Sequence, residues 1–243
     1  MKTGYDIVII GAGMVGLVCA HLLKNVGLSI AIVEAHSLTT EWPREDYDLR
    51  VSALNKHSQR LLEKMGCWQA IQSMRVGPYE QMQVFDQADE YELNFSAAAF
   101  AEDYLGYIVE NSVIRHALLD RLPATIDIIA PATLQSFADQ QLILADGTIL
   151  QATLFIGADG GNSWFRQLAG INIKTYSYEQ QAIVATVNTA KPHQQTAYQC
   201  FLPTGPVALL PFDHAYYSSL VWSADNEYAS QLLSMPAAEF SIS

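Results

Sequence analysis

The stretch from Tyr5 to Glu34, YDIVIIGAGMVGLVCAHLLKNVGLSIAIVE, constrains this chain more than any other. Ile7 to Ile10 is a short apolar run of the kind that forms a buried strand, and it stops at Gly11. Met14 to Val26 continue at helical spacing without proline, and Ile30 to Val33 is a second apolar run closed by Glu34. Gly11, Gly13 and Gly16 stand as G-x-G-x-x-G in the turn between the first strand and the helix. The order strand, glycine turn, helix, strand is a βαβ unit, and an α/β fold follows from it.

Each residue type in that turn has a physical task. Gly11 permits the tight turn out of the strand, Gly13 removes the Cβ that would hold a pyrophosphate off the backbone, and Gly16 lets the helix pack close on the sheet. Met14 opens a helix whose free amides and positive dipole end face the phosphates. Glu34, at the end of the second strand, is placed to accept hydrogen bonds from an adenosine ribose. A carboxylate there repels the extra phosphate of an NADP-type adenosine, so the expected tenant is FAD or NAD. A glycine turn with no ligand is the alternative; an acid in register with both strands and the helix argues against it.

Thirteen basic against 25 acidic residues give a net charge of −12, which excludes a nucleic-acid partner because phosphate binding needs clustered cations. Half of the 243 residues are hydrophobic, enough for one large domain or two modest ones. Cys19, Cys67 and Cys200 are odd in number and far apart, and none of the six histidines has metal-like spacing; neither a disulfide framework nor a metal site is expected. A reducing cytoplasm fits. No stretch approaches the ~20 apolar residues of a membrane span, which leaves peripheral contact with an inner membrane open.

Residues 35 to 50, with Pro43, read as a polar loop, and Ser52 to Met65 as a helix with Leu54, Leu61, Leu62 and Met65 on its apolar face, stopped by Gly66. Residues 76 to 96 switch to alternation, with Met82, Val84, Tyr91, Leu93 and Phe95 suggesting a hairpin. A helix from Asn111 or Ser112 to about Arg121 ends before Pro123. Strands are expected at Ile126 to Ile129, Thr133 to Phe137, Gln141 to Leu144 and Leu150 to Ile156, with a turn at Asp146 and Gly147. Four more follow at Ala182 to Asn188, Thr196 to Leu202, Val207 to Pro211 and Tyr216 to Trp222. The two switches of period predict a Rossmann-like three-layer domain made of residues 1–75 and 98–175. A β-rich second domain takes 76–97 and 176–243.

Two further clusters carry chemistry. Gly157, Ala158, Asp159, Gly160, Ser163 and Arg166 follow a strand, which delivers the Asp159 carboxylate to the cleft where open α/β sheets hold cofactors; an ordinary Asp-Gly turn is the competing reading. Asp48 and Arg50 precede the Ser52 to Met65 segment, and an arginine there neutralises a pyrophosphate or is a plain surface cation.

Taken in order, these motifs resemble the ubiquinone-biosynthesis flavin hydroxylases, a branch of the para-hydroxybenzoate hydroxylase-like FAD monooxygenases. The resemblance runs through G-A-G-M-V-G with Glu34, D-L-R-V-S-A-L-N-K-H-S (Asp48 to Ser58), M-G-C-W (Met65 to Trp68) and L-G-Y-I-V-E-N (Leu105 to Asn111). It continues through G-A-D-G-G-N-S-W-F-R (Gly157 to Arg166) and F-L-P-T-G-P-V-A-L-L-P (Phe201 to Pro211). Within the branch, Glu110 to Arg166 is most similar to 2-octaprenylphenol hydroxylases.

The resemblance implies an enzyme in which Gly11, Gly13, Met14 and Gly16 approach the FAD pyrophosphate, Glu34 the adenosine ribose, and Arg50 the phosphates and ribityl chain. Asp159 and Gly160 would serve the cofactor cleft, and Arg115 would stand where more distant relatives have a Gln near the flavin. It further implies that NAD(P)H reduces the flavin and that dioxygen supplies the oxygen placed on a phenol ring. The substrate would be a prenylated phenol in a hydrophobic slot between the second sheet and the flavin, involving Phe201 to Pro211. The catalytic residues are unknown from sequence. The family's third motif, G-D-A-A-H, is not among these residues, so the chain is expected to be the leading part of a longer polypeptide, to hold FAD weakly and to lack hydroxylase activity by itself. Self-association and membership of a ubiquinone-biosynthesis complex are further expectations. The alternatives are an NAD-dependent dehydrogenase and a flavin-free partner in such a complex.

Overall fold

In the computed structural model, which describes residues 3–39, 42, 44–87 and 92–241, the predicted βαβ unit is formed by β1 (Gly4–Ile10), α1 (Met14–Leu23) and β2 (Ile30–Val33). Next come β3 (Val51–Asn55), α2 (Lys56–Met65), α3 (Trp68–Met74), β4 (Gly77–Tyr79), β5 (Gln81–Asp86) and β6 (Glu92–Ser96). A 3-10 turn at Ala97–Phe100 leads to β7 (Gly106–Glu110), α4 (Asn111–Asp120), β8 (Ile126–Ile129), β9 (Leu134–Ala138), β10 (Gln141–Leu144), β11 (Ile149–Gly157) and α5 (Trp164–Leu168). The chain continues through β12 (Gln180–Asn188), β13 (Thr196–Leu202), β14 (Gly205–Pro211), β15 (Tyr217–Asp225), α6 (Asn226–Ser234) and α7 (Ala237–Phe240). Pro43 and Tyr91 lie outside the described residues.

The chain divides into two compact units, 1–42 with 63–70 and 113–174, and 43–62 with 71–112 and 175–243. In the first unit six strands run in the order β8-β2-β1-β11-β10-β9. The first four are parallel, and the β9–β10 pair adds an antiparallel edge. Register brings Ile10 beside both Val33 and Gly157, and Val33 beside Ile129, so the carboxyl ends of four parallel strands stand in a row. Open α/β sheets bind ligands at that edge.

Alternation along β1 buries both faces of the sheet. Val8 and Ile10 join Ala31, Val33, Leu142, Leu144, Leu150 and Phe165 of α5 in one cluster, where Phe137 meets Phe155 and Phe165 edge-on, each at 5.0 Å. Ile7 and Ile9 point the other way, and α1 packs on β1 and β2 with Leu17 and Ala20 fully buried. His21 of α1 donates from Nε2 to the Leu118 carbonyl of α4 at 2.7 Å. That bond leaves Nδ1 as a bare, buried nitrogen without a hydrogen-bond partner.

Burial pushes the His21 pKa below the ordinary imidazole value of 6.5; the Leu118 carbonyl opposes that shift and the charge of Lys24 adds to it. The folded state therefore binds this proton less readily than the unfolded chain, so the stabilisation is complete above about 6.5 and shrinks as pH falls below it. The melting temperature is expected to drop on acidification in the native chain and to drop less in His21→Gln. Equal slopes in the two proteins would refute the assignment.

The second unit holds a six-stranded sheet, β12-β15-β14-β13-β5-β6, antiparallel except where β13 runs parallel to β5. β5 and β6 thus lie in a different sheet from β1, as the alternation at 76–96 leads one to expect. Ile183, Trp222 and Ala224 form one side of its core, closed by Ala229 and Leu232 of α6. A separate antiparallel sheet, β3-β7-β4, completes the unit.

Two expectations from sequence change here. Ser52 to Asn55 is strand, paired with Gly106 to Tyr107 and their neighbours, and the helix begins only at Lys56. Segments 43–62, 71–75 and 98–112 cluster with the β-rich unit, where β3 and β4 each hydrogen-bond to β7. Gly66 ends α2 at φ +79°, its amide on the Glu63 carbonyl. No helix among the described residues is long and apolar enough to cross a membrane.

Candidate functional site

At the row of strand ends in the first unit lies a cleft of about 540 Å³, within the range of small-molecule sites. Gly11, Gly13, Glu34, His36, Thr133, Asp159, Gly160 and Trp164 are among its lining residues. The three glycines of the turn are there for different reasons. A Cβ on Gly16 would collide with the Gly11 carbonyl oxygen, and one on Gly11, at φ +104°, would stand 2.5 Å from the Ala158 carbonyl oxygen. Both are demanded by the protein's own packing. A Cβ on Gly13 would meet nothing within 4 Å.

Gly13 faces open cleft at the start of α1, where no side chain caps the helix. The protein leaves there the volume that a ligand's phosphates need, beside first-turn amides that favour negative charge. The residues present therefore fit a dinucleotide.

Glu34 does more than line the cleft. Its Oε2 accepts from the Ala12 amide at 2.7 Å and its Oε1 from the His36 amide at 3.0 Å, so the carboxylate shapes the glycine turn from the end of the neighbouring strand. Arg115 holds the other side of the same residue, its Nε donating to the Ala12 carbonyl at 3.2 Å. Between the acid and the guanidinium, the peptide groups on both sides of Ala12 are fixed. Ala12 drew no attention in sequence, since an alanine between two glycines carries no chemistry of its own.

Asp159 is bonded within its own turn. Its Oδ1 accepts from the Ser163 hydroxyl and its Oδ2 from the Phe165 amide at 2.9 Å, while Ser163 Oγ caps α5 by accepting from the Arg166 amide. Arg166 in turn donates to the Gly161 carbonyl, and Gly160 takes φ +91°. The Asp-Gly turn reading is therefore realised, and Asp159 and Gly160 line the cleft as well. Arg50 belongs to the second unit, exposed at the entrance of β3. Met14 is the first residue of α1. His36, Thr133 and Trp164 were missed; each follows the carboxyl end of a sheet strand by a few residues, a position that becomes legible once the strands are known to be adjacent.

The FAD binding domain family matches residues 4–235. This chain belongs to that family. Membership turns the choice between FAD and NAD at the glycine turn to FAD, and the dehydrogenase alternative falls with it. Among curated proteins, the FAD-binding chain is 39% identical over 258 residues to the mitochondrial ubiquinone biosynthesis monooxygenase COQ6 of Rattus norvegicus, covering 97% of this chain and 53% of that protein. It is 34% identical over 241 residues to the 3-demethoxyubiquinol 3-hydroxylase of Escherichia coli, covering 96% and 61%. The resemblance read in the motifs is thus present across the chain, which spans a little over half the length of these relatives. In fold it is similar to PqsL of Pseudomonas aeruginosa, solved in complex with 2-aminobenzoylacetate, with a TM-score of 0.78 at 21% identity over 94% of this chain and 63% of that one.

Proposed function

We propose that this chain is the FAD-binding portion of a monooxygenase that hydroxylates the ring of a polyprenylated phenol in ubiquinone biosynthesis, with NAD(P)H as reductant and dioxygen as oxidant. The observation that carries the reading is the open space at Gly13, at the start of α1, in a chain similar over nearly its whole length to ubiquinone-biosynthesis hydroxylases. The flavin, when bound, supplies the redox and oxygen-transfer chemistry. The chain's own residues bind and orient it. The first-turn amides of α1 hold the pyrophosphate, Glu34 receives the ribose hydroxyls, and Arg115 keeps the Ala12 carbonyl turned away from the phosphates. Asp159 and Gly160 line the cleft, and Arg50 is proposed, from its motif, as a cation for the phosphates. The β-rich unit takes the substrate, whose lipid-soluble tail brings the protein to a membrane surface. Because the relatives are far longer, the reaction belongs to a polypeptide of their length; the 243 residues alone are expected to bind FAD weakly and not to turn over.

Incubating the longer polypeptide with FAD, NADH or NADPH and a prenylated phenol tests the reading. Mass spectrometry should show one added oxygen, at far higher efficiency than with water-soluble hydroxybenzoates. Equal turnover of the two substrate classes would overturn the substrate assignment. Failure to bind flavin would overturn the function.

Glu34→Gln keeps an oxygen for one of the two amides but removes the charge that strengthens bonds to ribose hydroxyls. FAD affinity should fall by about 1 to 3 kcal/mol. Flavin titration measures this, and unchanged affinity would remove Glu34 from the ribose site.

A further inference from the structure

β7 is buried at all five positions, and its last residue is an acid. Glu110 is 1% exposed and is the one carboxylate among the buried described residues. Arg75 forms a two-pronged pair with it, Nε to Oε2 at 2.6 Å and Nη2 to Oε1 at 2.7 Å. A buried ion pair by itself rarely stabilises a fold more than apolar residues of the same shape would. Its other contacts show where its bonding is directed.

Three further bonds of this pair go to one stretch of backbone. Arg75 donates to the carbonyls of Arg44 and Asp46, at 3.2 and 2.8 Å, and Glu110 Oε1 accepts from the Asp48 amide at 2.7 Å. Asp48 passes the constraint on, its Oδ1 accepting from the Arg50 amide at 3.1 Å and its Oδ2 from the Ser112 amide at 3.3 Å. The Arg50 carbonyl accepts from the Asn111 amide at 2.9 Å, and Ser52 Oγ is 2.7 Å from Asn111 Oδ1. The guanidinium of Arg75 also lies over the ring of Tyr47 at 4.3 Å, and Tyr47 stacks on Phe212 with centroids 4.0 Å apart. The backbone on both sides of Arg50 is thus tied, through Asp48 and Glu110, to a buried charge pair.

We propose that Arg75 and Glu110 are positioning residues for Arg50. The inference rests on the reading of Arg50 as the cation that faces the cofactor's phosphates. An exposed arginine loses rotamer freedom when it engages a phosphate, and a backbone held in advance lowers that cost. The pair needs no contact with the cofactor to do this.

The test uses Arg75→Met, Glu110→Gln and Arg50→Ala in the longer polypeptide, with circular dichroism to confirm folding, hydrogen exchange of amides 44–50 by mass spectrometry, and FAD titration at low and high salt. Arg75→Met and Glu110→Gln should each speed exchange at 44–50 and weaken FAD by about tenfold at low salt, the value of one charge-assisted bond. Arg50→Ala should weaken FAD to a similar extent and flatten the salt dependence. Arg75→Met added to Arg50→Ala should then weaken it no further. An undiminished effect of Arg75→Met in the Arg50→Ala background, or unchanged exchange at 44–50, would overturn the proposal. Full FAD affinity in Arg50→Ala would instead sink the phosphate reading of Arg50, with the exchange rates still reporting whether the pair holds the loop. If Arg75→Met fails to fold, Arg75→Lys, which keeps the charge and loses the fork, gives the same comparison.

Discussion

In a polypeptide of the relatives' length, Gly13→Val is expected to leave the fold intact and to abolish FAD binding. Gly13 sits at φ −73° and ψ 179°, extended backbone that a branched residue adopts without strain, and a Cβ there meets no protein atom within 4 Å. Stability should therefore stay within about 0.5 kcal/mol of the native chain, as for a surface substitution. The side chain would instead occupy the opening in front of the α1 amides, where the phosphates must come within hydrogen-bonding distance. A loss of at least about two orders of magnitude in affinity, or about 2.8 kcal/mol, is the expected result of a FAD titration. Retained binding would mean that this turn does not hold the cofactor.

Gly16→Ala should fail in the opposite way. Its Cβ would drive into the carbonyl oxygen of Gly11, a backbone atom that cannot rotate aside, in a helix packed against the central strands. A destabilisation of about 3 kcal/mol or more is expected from overpacking of this kind. Denaturant unfolding with the mutant beside Gly13→Val separates the two roles. If Gly16→Ala were as stable as the native chain, the close approach of α1 to its own turn would not be a requirement of the fold.

These opposite outcomes could not be told apart in the sequence, where the three glycines read as one motif. The strands themselves were legible, because Ile7 to Ile10, Ile30 to Val33 and Ile126 to Ile129 are short apolar runs bounded by polar or turn residues; their order in the sheet was not. Nor was β3. Val51 to Asn55 is five residues long, and Leu54 happens to fall in helical register with Leu61, Leu62 and Met65; only its pairing with Gly106–Glu110, more than fifty positions on, makes it a strand. The same distant pairing moved the division between the units. Arg115 was read as standing where more distant relatives have a Gln near the flavin; that its Nε also holds the glycine turn was not legible. Arg75 and Glu110 went unremarked although an acid closing the apolar run Gly106 to Val109 was visible; its partner, 35 residues upstream, was not.

The parallel pairing of β5 with β13 has a consequence for synthesis. β5 and β6 are made before residue 97, yet the strand that joins them to the rest of their sheet begins at Thr196. During those roughly 100 residues, which at about 5–20 residues per second take about 5–20 s, the hairpin has no sheet to join. β1 and β2 of the other sheet are already made by then, and its remaining four strands emerge within that interval, the last being complete at Gly157. The order of emergence from the ribosome thus lets the FAD-binding sheet assemble first, while the unpaired edge of β5, carrying Met82 and Val84, waits for its partner and is open to aggregation.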